Sequence, residues 1–345
     1  HGALNLARSA CDSGHSVSKP WTARVQRRAF ALLADSGLLA GFVPTDAGGS
    51  GAAERALLDA LVAVAETCLT TALALTQWAA ACRLVATGPA DLRSVLLPRL
   101  ARGEETTTVG IAQLTTSRQH VGAPALRASR VGGTWRLDGA CPWVTGADAV
   151  DTIVTGAVRD DGTPGYFVID TRASGVVIDP PMRLLALSGS RTARVVLGDV
   201  VPRAEIVPSG PPAARAGGLA TTALALGSAR GALAILRREA RARPVLEPAV
   251  RGFADEIAGL EDRLRRIAED DTATAADRDA LRTAANGLVL RVAQGALVAS
   301  KGAGFVAGHP AERAVREAML FLVWSCPQQV AAAVMCDLAH IDALS

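Results

Sequence analysis

An α+β fold in the order helices, β unit, helices is predicted by three stretches of distinct texture along 345 residues. Up to about residue 105, apolar side chains recur at three- and four-residue spacing, the repeat of helices with one buried face. From Thr106 to about Pro202, short β-branched runs are broken by Gly, Asp and Pro, the pattern of short strands joined by tight turns. Past GPPAARAGG (210–218), read as a linker, helical periodicity returns. The expected organisation is a helical N-terminal domain (1–105), a middle β-barrel-like domain (106–209) and a C-terminal four-helix bundle (210–345).

Each element follows in order. WTARVQRRAFALLADSGLLA (21–40) reads as one amphipathic helix closed by Gly41, and PTDAGGSGA (44–52) as a loop. Alanine-rich runs predict helices over 53–87 and 90–102, the second opening after Gly88 and Pro89. The β texture lies in TTTVGIAQL, GTWRLDGACPWV, DTIVTGAV, GYFVIDT, GVVIDPP and ARVVLGDVV. Helices are then expected over TTALALGSARGALAILRREARAR, 249–269, 276–301 and 311–322.

Composition narrows the function classes. The net charge is only +3, and acidic and basic residues alternate over short distances, so no basic stripe suited to nucleic acid is present. The six cysteines (Cys11, Cys68, Cys82, Cys141, Cys326 and Cys336) lie far apart without a CxxC pair, which predicts reduced, packed thiols in a cytoplasmic protein. The five histidines are scattered, so no zinc or di-iron site is expected. No apolar run reads as reaching the roughly 20 residues of a membrane span.

Several stretches together resemble the acyl-CoA dehydrogenase superfamily. GLLAGFVPTDAGGSGA is similar to its G-L-x-G-x-x-V-P-x-x-x-G-G-x-G loop, and LPRLARGEE to the L-P-x-L-A-x-G-E preceding the middle domain. WRLDGACPWVTGADAVD follows W-x-L-x-G-x-K-x-W-I-T-N-A-x-x-A-D, and LSGSRTARVVLGDVVP resembles the strand that closes that domain. GAGFVAGHPAERAVREA is similar to G-G-x-G-[FY]-x-x-x-x-P-x-E-R-x-x-R-D-A, which extends the resemblance from about residue 21 to 335.

That resemblance implies an FAD cofactor against the middle domain. Leu114 and Thr115 would face the pyrimidine side of the ring, while Trp143 and Thr145 would flank its redox edge; Gln329 is a further cofactor candidate. A planar heterocycle needs such an aromatic wall and a few fixed polar groups. The competing role for Trp143 is to fill the core of the β unit. On the adenosine side, the family's glutamine corresponds to Val298 and the first of its paired glycines to Lys301, with Gly302 following. Lys301 beside these glycines could meet a pyrophosphate, or simply sit solvated at a helix C-terminus. RARPVLEPAVRGF (241–253) keeps arginines but lacks the family's Phe-Gly.

The carbon base is where the chain departs from the pattern. VWSCPQQV overlays the family's I-Y-E-G-T-x-x-I, which places Ser325 where the proton-abstracting glutamate stands; the alternative site on the first C-terminal helix falls at about Ala220. A neutral hydroxyl cannot by itself remove a weakly acidic C–H proton. Ser325 and Cys326 are the catalytic candidates, with packing the competing role for the thiol. His120 falls in a loop where the family has a flavin- and CoA-contacting triplet, and Glu312, Arg313 and Arg316 read as structural charges of a helix.

Three functions remain open: a flavin-dependent oxidoreductase of acyl-CoA dehydrogenase type that does not use the glutamate, a flavin monooxygenase acting on a nitrogen or a ring, and a non-catalytic flavin- or acyl-carrier-binding descendant. The resemblance further implies an acyl-thioester or other small-molecule substrate and a homodimer or homotetramer; no nucleic-acid or membrane partner is expected.

Overall fold

In the computed structural model, the described residues are 22–114, 124–207, 218–324 and 328–339, together with the backbone of Thr115. The linker read at 210–217, His120, Ser325 and Cys326 lie outside them.

Helix α1 (Ala23–Asp35) begins where the Thr22 hydroxyl accepts the Val25 N–H. It stops earlier than predicted, because Gly37 takes a left-handed φ of 78°, and a single turn (Leu38–Gly41) follows. The loop after it folds back so tightly that a Cβ on Gly49 would lie 1.9 Å from the Val43 carbonyl oxygen. The single helix expected over 53–87 is two, α2 (Glu54–Thr67) and α3 (Leu69–Ala86). The chain is extended at Cys68, with φ −154° and ψ 98°. α4 (Ala90–Ala101) completes the N-terminal helices.

The β unit holds β1 (Thr107–Gly110), β2 (Leu126–Val131), β3 (Thr134–Val144), β4 (Thr152–Arg159), β5 (Pro164–Asp170), β6 (Val176–Ile178), β7 (Ala193–Val200) and β8 (Ala204–Ile206). Their order is β6-β7-β3-β2-β4-β5-β8, and β1 pairs with β4 in parallel, Thr107 facing Thr152 and Gly110 facing Thr155. The TTTVGIAQL run is only partly a strand: after Gly110 the chain turns into a helical turn, Ala112–Thr115. The sheet has its own core, in which Leu137, Phe167 and Val195 are fully buried.

Beyond it run α5 (Leu219–Ala242), α6 (Glu247–Glu269), α7 (Ala275–Ser300), α8 (Pro310–Ala318), a turn at Leu320–Val323, and α9 (Gln328–Ala339). α7 opens with a reciprocal cap: Thr274 accepts the Asp277 N–H and the Asp277 carboxylate accepts the Thr274 N–H.

The helices on either side of the β unit in sequence share one apolar core. Leu75, Trp78 and Leu96 belong to the same buried cluster as Leu224, Leu226, Leu288 and Val292. Two glycines let α5 approach α2 closely: a Cβ on Gly227 would lie 2.3 Å from the Val62 carbonyl oxygen, and one on Gly231 2.8 Å from that of Glu66. Arg230 on α5 then pairs with Glu66 on α2 at 2.8 Å. Contrary to the sequence expectation, α3 and α5 are long and apolar enough to cross a membrane, but 78% and 72% of their apolar windows are buried inside the fold. That is the environment of central helices in a globular core.

Candidate functional site

The helical turn carrying Leu114 and Thr115 is fastened to the sheet by Gln113. Its amide nitrogen donates to Gly156 O at 2.6 Å and to Gly110 O at 3.0 Å. Rotating the amide would aim an acceptor at two carbonyls, so the orientation is settled, and Oε1 is left as a buried acceptor without a hydrogen-bond partner. Leu114 lies over Gly156, where a Cβ would meet its Cδ1 at 2.3 Å. Beneath this turn Thr155 donates to Gly110 O at 2.9 Å, which leaves its oxygen to accept from the Cys141 thiol, also at 2.9 Å. Burial pushes the Cys141 thiol up to about 11, so it is a packing group.

Trp143 does not fill the core. Val144 beside it and Cys141 are fully buried, whereas Trp143 is 53% exposed, standing on the outward side of β3. Thr145 follows half-buried, its hydroxyl 3.4 Å from that of Thr192, which is 2.8 Å from that of Ser190. The turn they occupy is pinned by Gly146 N donating to Ser190 O at 2.8 Å and by the ion pair of Arg191 with Asp148. The hydrogen bond and charge of that carboxylate raise the Arg191 guanidinium above its ordinary range.

Lys301, Gly302 and Gln329 lie in the C-terminal helices. Lys301 is the exposed C-cap of α7, with φ 52° and ψ −148°, a backbone conformation suited to glycine, and its position matches the solvated reading. A Cβ on Gly302 would meet nothing within 4 Å. Val298 is 76% exposed. Of the arginines around 241–253, Arg243 is used structurally, donating to Glu239 and to the Ala299 carbonyl at the end of α7. Gln329 is exposed in the first turn of α9, and Ala220 is partly buried at the start of α5. The predicted residues of the ring side thus share the β unit, while the adenosine-side candidates and Gln329 lie in the C-terminal helices.

Two groups absent from the sequence reading emerge. Arg282 and Asn286 on α7 are fully buried and hold the carbonyls just before Ser325: Arg282 donates to Asn286 Oδ1 at 3.0 Å and to Trp324 O at 3.2 Å, and Asn286 to Phe321 O at 2.8 Å. Glu312 pairs with Arg316, as the charge pattern suggested, and Arg316 also donates to Leu185 O at 2.9 Å, joining α8 to the β unit. The second is Glu317, whose carboxyl is pushed up to about 7 by burial, against the opposing pull of Arg313 and Arg316.

Because its folded pKa is raised from 4.5 to about 7, Glu317 holds its proton more tightly in the native state. Its favourable contribution is complete below about 4.5 and is lost as pH rises through about 7. Glu317→Gln is therefore expected to raise the melting temperature at pH 8, by at most about 3 kcal/mol of stability, and to change little at pH 4. Equal effects at both values would contradict the raised pKa.

Among the described residues, no three His, Cys, Asp or Glu side chains are grouped so as to hold a metal ion.

Comparison with known proteins completes the placement. Residues 12–104 match the model of the acyl-CoA dehydrogenase N-terminal domain. The probable acyl-CoA dehydrogenase YngJ of Bacillus subtilis (strain 168) is 25% identical over 204 residues, 56% of this chain; the match spans 53% of that protein, about half its length. Butyryl-CoA dehydrogenase from Megasphaera elsdenii superposes with a TM-score of 0.80 at 17% identity, covering 98% of this chain and 97% of that one. KijD3, solved in complex with FMN and a dTDP-linked amino sugar, superposes with a TM-score of 0.74 at 18% identity, covering 99% and 92%. Residues 12–104 thus match the acyl-CoA dehydrogenase N-terminal domain, and the fold of the whole chain is that of solved acyl-CoA dehydrogenases.

Proposed function

We propose that the protein is a flavin-dependent oxidoreductase of acyl-CoA dehydrogenase type that works without the family's usual glutamate. The observation that carries this reading is Trp143, a large aromatic side chain 53% exposed at the end of a strand whose neighbouring Val144 is fully buried. An indole held there by the β unit is a stacking wall for a planar ring. The buried Gln113 Oε1, lacking a donor, fits a heterocycle that carries an N–H.

The ring side therefore fits a flavin, with Leu114, Thr115, Trp143 and Thr145 as its contacts. When bound, a flavin supplies acceptance of a hydride or of single electrons. Trp143 would stack on the ring and exclude water, and Thr145 would orient its polar edge. For the adenosine half of FAD, the exposed Lys301 and Val298 provide a poorer match, because neither is the residue type that the resemblance requires. FAD is our assignment on the resemblance, with FMN the outcome that would trace to these two positions. The exposed apolar side chains of Val298, Phe305 and Val306, at 76%, 83% and 62%, support a homodimer or homotetramer. An acyl thioester or another small molecule is the substrate class we propose.

A second reading, a flavin monooxygenase, is favoured by Ser325 at the glutamate position and by the match to KijD3, whose solved complex holds FMN and a sugar nucleotide. Reaction of a reduced flavin with oxygen calls for a sheltered cavity and hydrogen-bond donors and not for a carbon base.

The test is the absorbance spectrum of the purified protein, before and after incubation with excess FAD or FMN and removal of unbound ligand. A retained, reducible flavin is expected, and Trp143→Ala should weaken retention by about 10- to 100-fold, the worth of one aromatic stack. No retention of either flavin by the wild type would sink both readings. Rapid reoxidation by oxygen coupled to substrate hydroxylation would select the second.

A further inference from the structure

A small cavity lies between α1, α3, β1 and the turn after β3. It has a volume of about 10 Å3 and is lined by Gln26, Phe30, Ala74, Thr106, Thr108 and Thr145 among others. Two of its walls are polar and almost completely buried, Gln26 at 5% and Thr108 at 2% exposure. The Gln26 Oε1 and the Thr108 hydroxyl are both buried without a hydrogen-bond partner. Burying either atom unpaired is costly, and both residues line one space.

The volume discriminates between occupants. About 10 Å3 is the smallest space that holds one water molecule, and it excludes a substrate or cofactor fragment. The chemistry agrees, since an amide oxygen needs a donor and a hydroxyl can give its proton to an acceptor. We propose that this cavity is a binding site for a single structural water, which donates to Gln26 Oε1 and accepts from the Thr108 hydroxyl, bridging helix α1 to the β unit.

The site adjoins Thr145. The Gln26 amide rests against the turn that follows Trp143, since a Cβ on Gly146 would lie 2.3 Å from Gln26 Nε2. The Thr145 hydroxyl has Thr192 as a neighbour at 3.4 Å, and Thr145 is one of the residues lining the cavity. The water limits the directions in which that hydroxyl can point, a positioning role that rests on the flavin reading; the water site itself does not.

The test uses the full chain without added cofactor. A crystal structure at high resolution should show one isolated peak within hydrogen-bond reach of Gln26 and Thr108. Thr108→Val keeps the side-chain shape and removes the hydroxyl. If the water is present, this variant should melt lower, by about 2 °C, and Thr108→Ser should stay near wild type. If the cavity is dry, valine relieves an unpaired hydroxyl and the protein should melt higher, which would overturn the proposal. Density belonging to a protein side chain in place of the isolated peak would overturn it as well. Failure of flavin to bind would alter none of these readouts.

Discussion

Gly227→Ala is expected to destabilise the protein by about 3 kcal/mol, although alanine is the better helix former by roughly 1 kcal/mol. The added methyl would stand 2.3 Å from the Val62 carbonyl oxygen and 2.7 Å from Ala65 Cβ, so α5 must move away from α2 along a contact that is otherwise well packed. Backbone atoms of α2 cannot yield as a flexible side chain can. Gly252→Ala in α6 is the matched control, because nothing lies within 4 Å of a Cβ there. It should stabilise by about 0.5–1 kcal/mol. Chemical denaturation of both variants decides the matter: similar changes of the same sign would mean that α5 and α2 are not held at the distance the structure shows.

The second large effect is expected from Arg282→Ala, a loss of about 3–5 kcal/mol. The substitution strips hydrogen bonds from Asn286 Oδ1 and Trp324 O and leaves a cavity in a fully buried place. Arg282→Met, close in volume and uncharged, should recover a large part of that loss, since an apolar replacement of a buried charge is frequently tolerated. The positional readout is hydrogen exchange. Amides of the turn at Leu320–Val323 and of Trp324 should lose protection in Arg282→Met even where global stability is regained, because the bond to Trp324 O is still missing. Unchanged protection there would show that Arg282 only fills space.

The helix–sheet–helix order was legible in the sequence because it is carried by local periodicity, 3.6 residues for helices and two for strands. The misplaced boundaries have local causes of another kind. Gly37 cuts the first helix with a left-handed φ, and the extended Cys68 divides what composition alone reads as one alanine-rich helix. Pattern identifies an apolar face and says little about where the backbone must turn to reach its next partner. At the site, the type and place of Trp143 and Thr145 were legible through the resemblance, but a tryptophan beside valine reads equally as core. Its exposure follows from the direction in which β3 turns it.

By itself, the sequence determined the class of each segment and carried the family resemblance, since each is a matter of residue type and spacing along the chain. Only the tertiary structure decided that helices separated by the β unit share one core, that Gly227 is required where α5 crosses α2, and that Arg282 and Asn286 reach the carbonyls before Ser325. It also decided that Gln26 and Thr108, 82 positions apart in the numbering, line one cavity. These are contacts between distant segments, and no local period encodes which buried polar atom will find its partner across the fold.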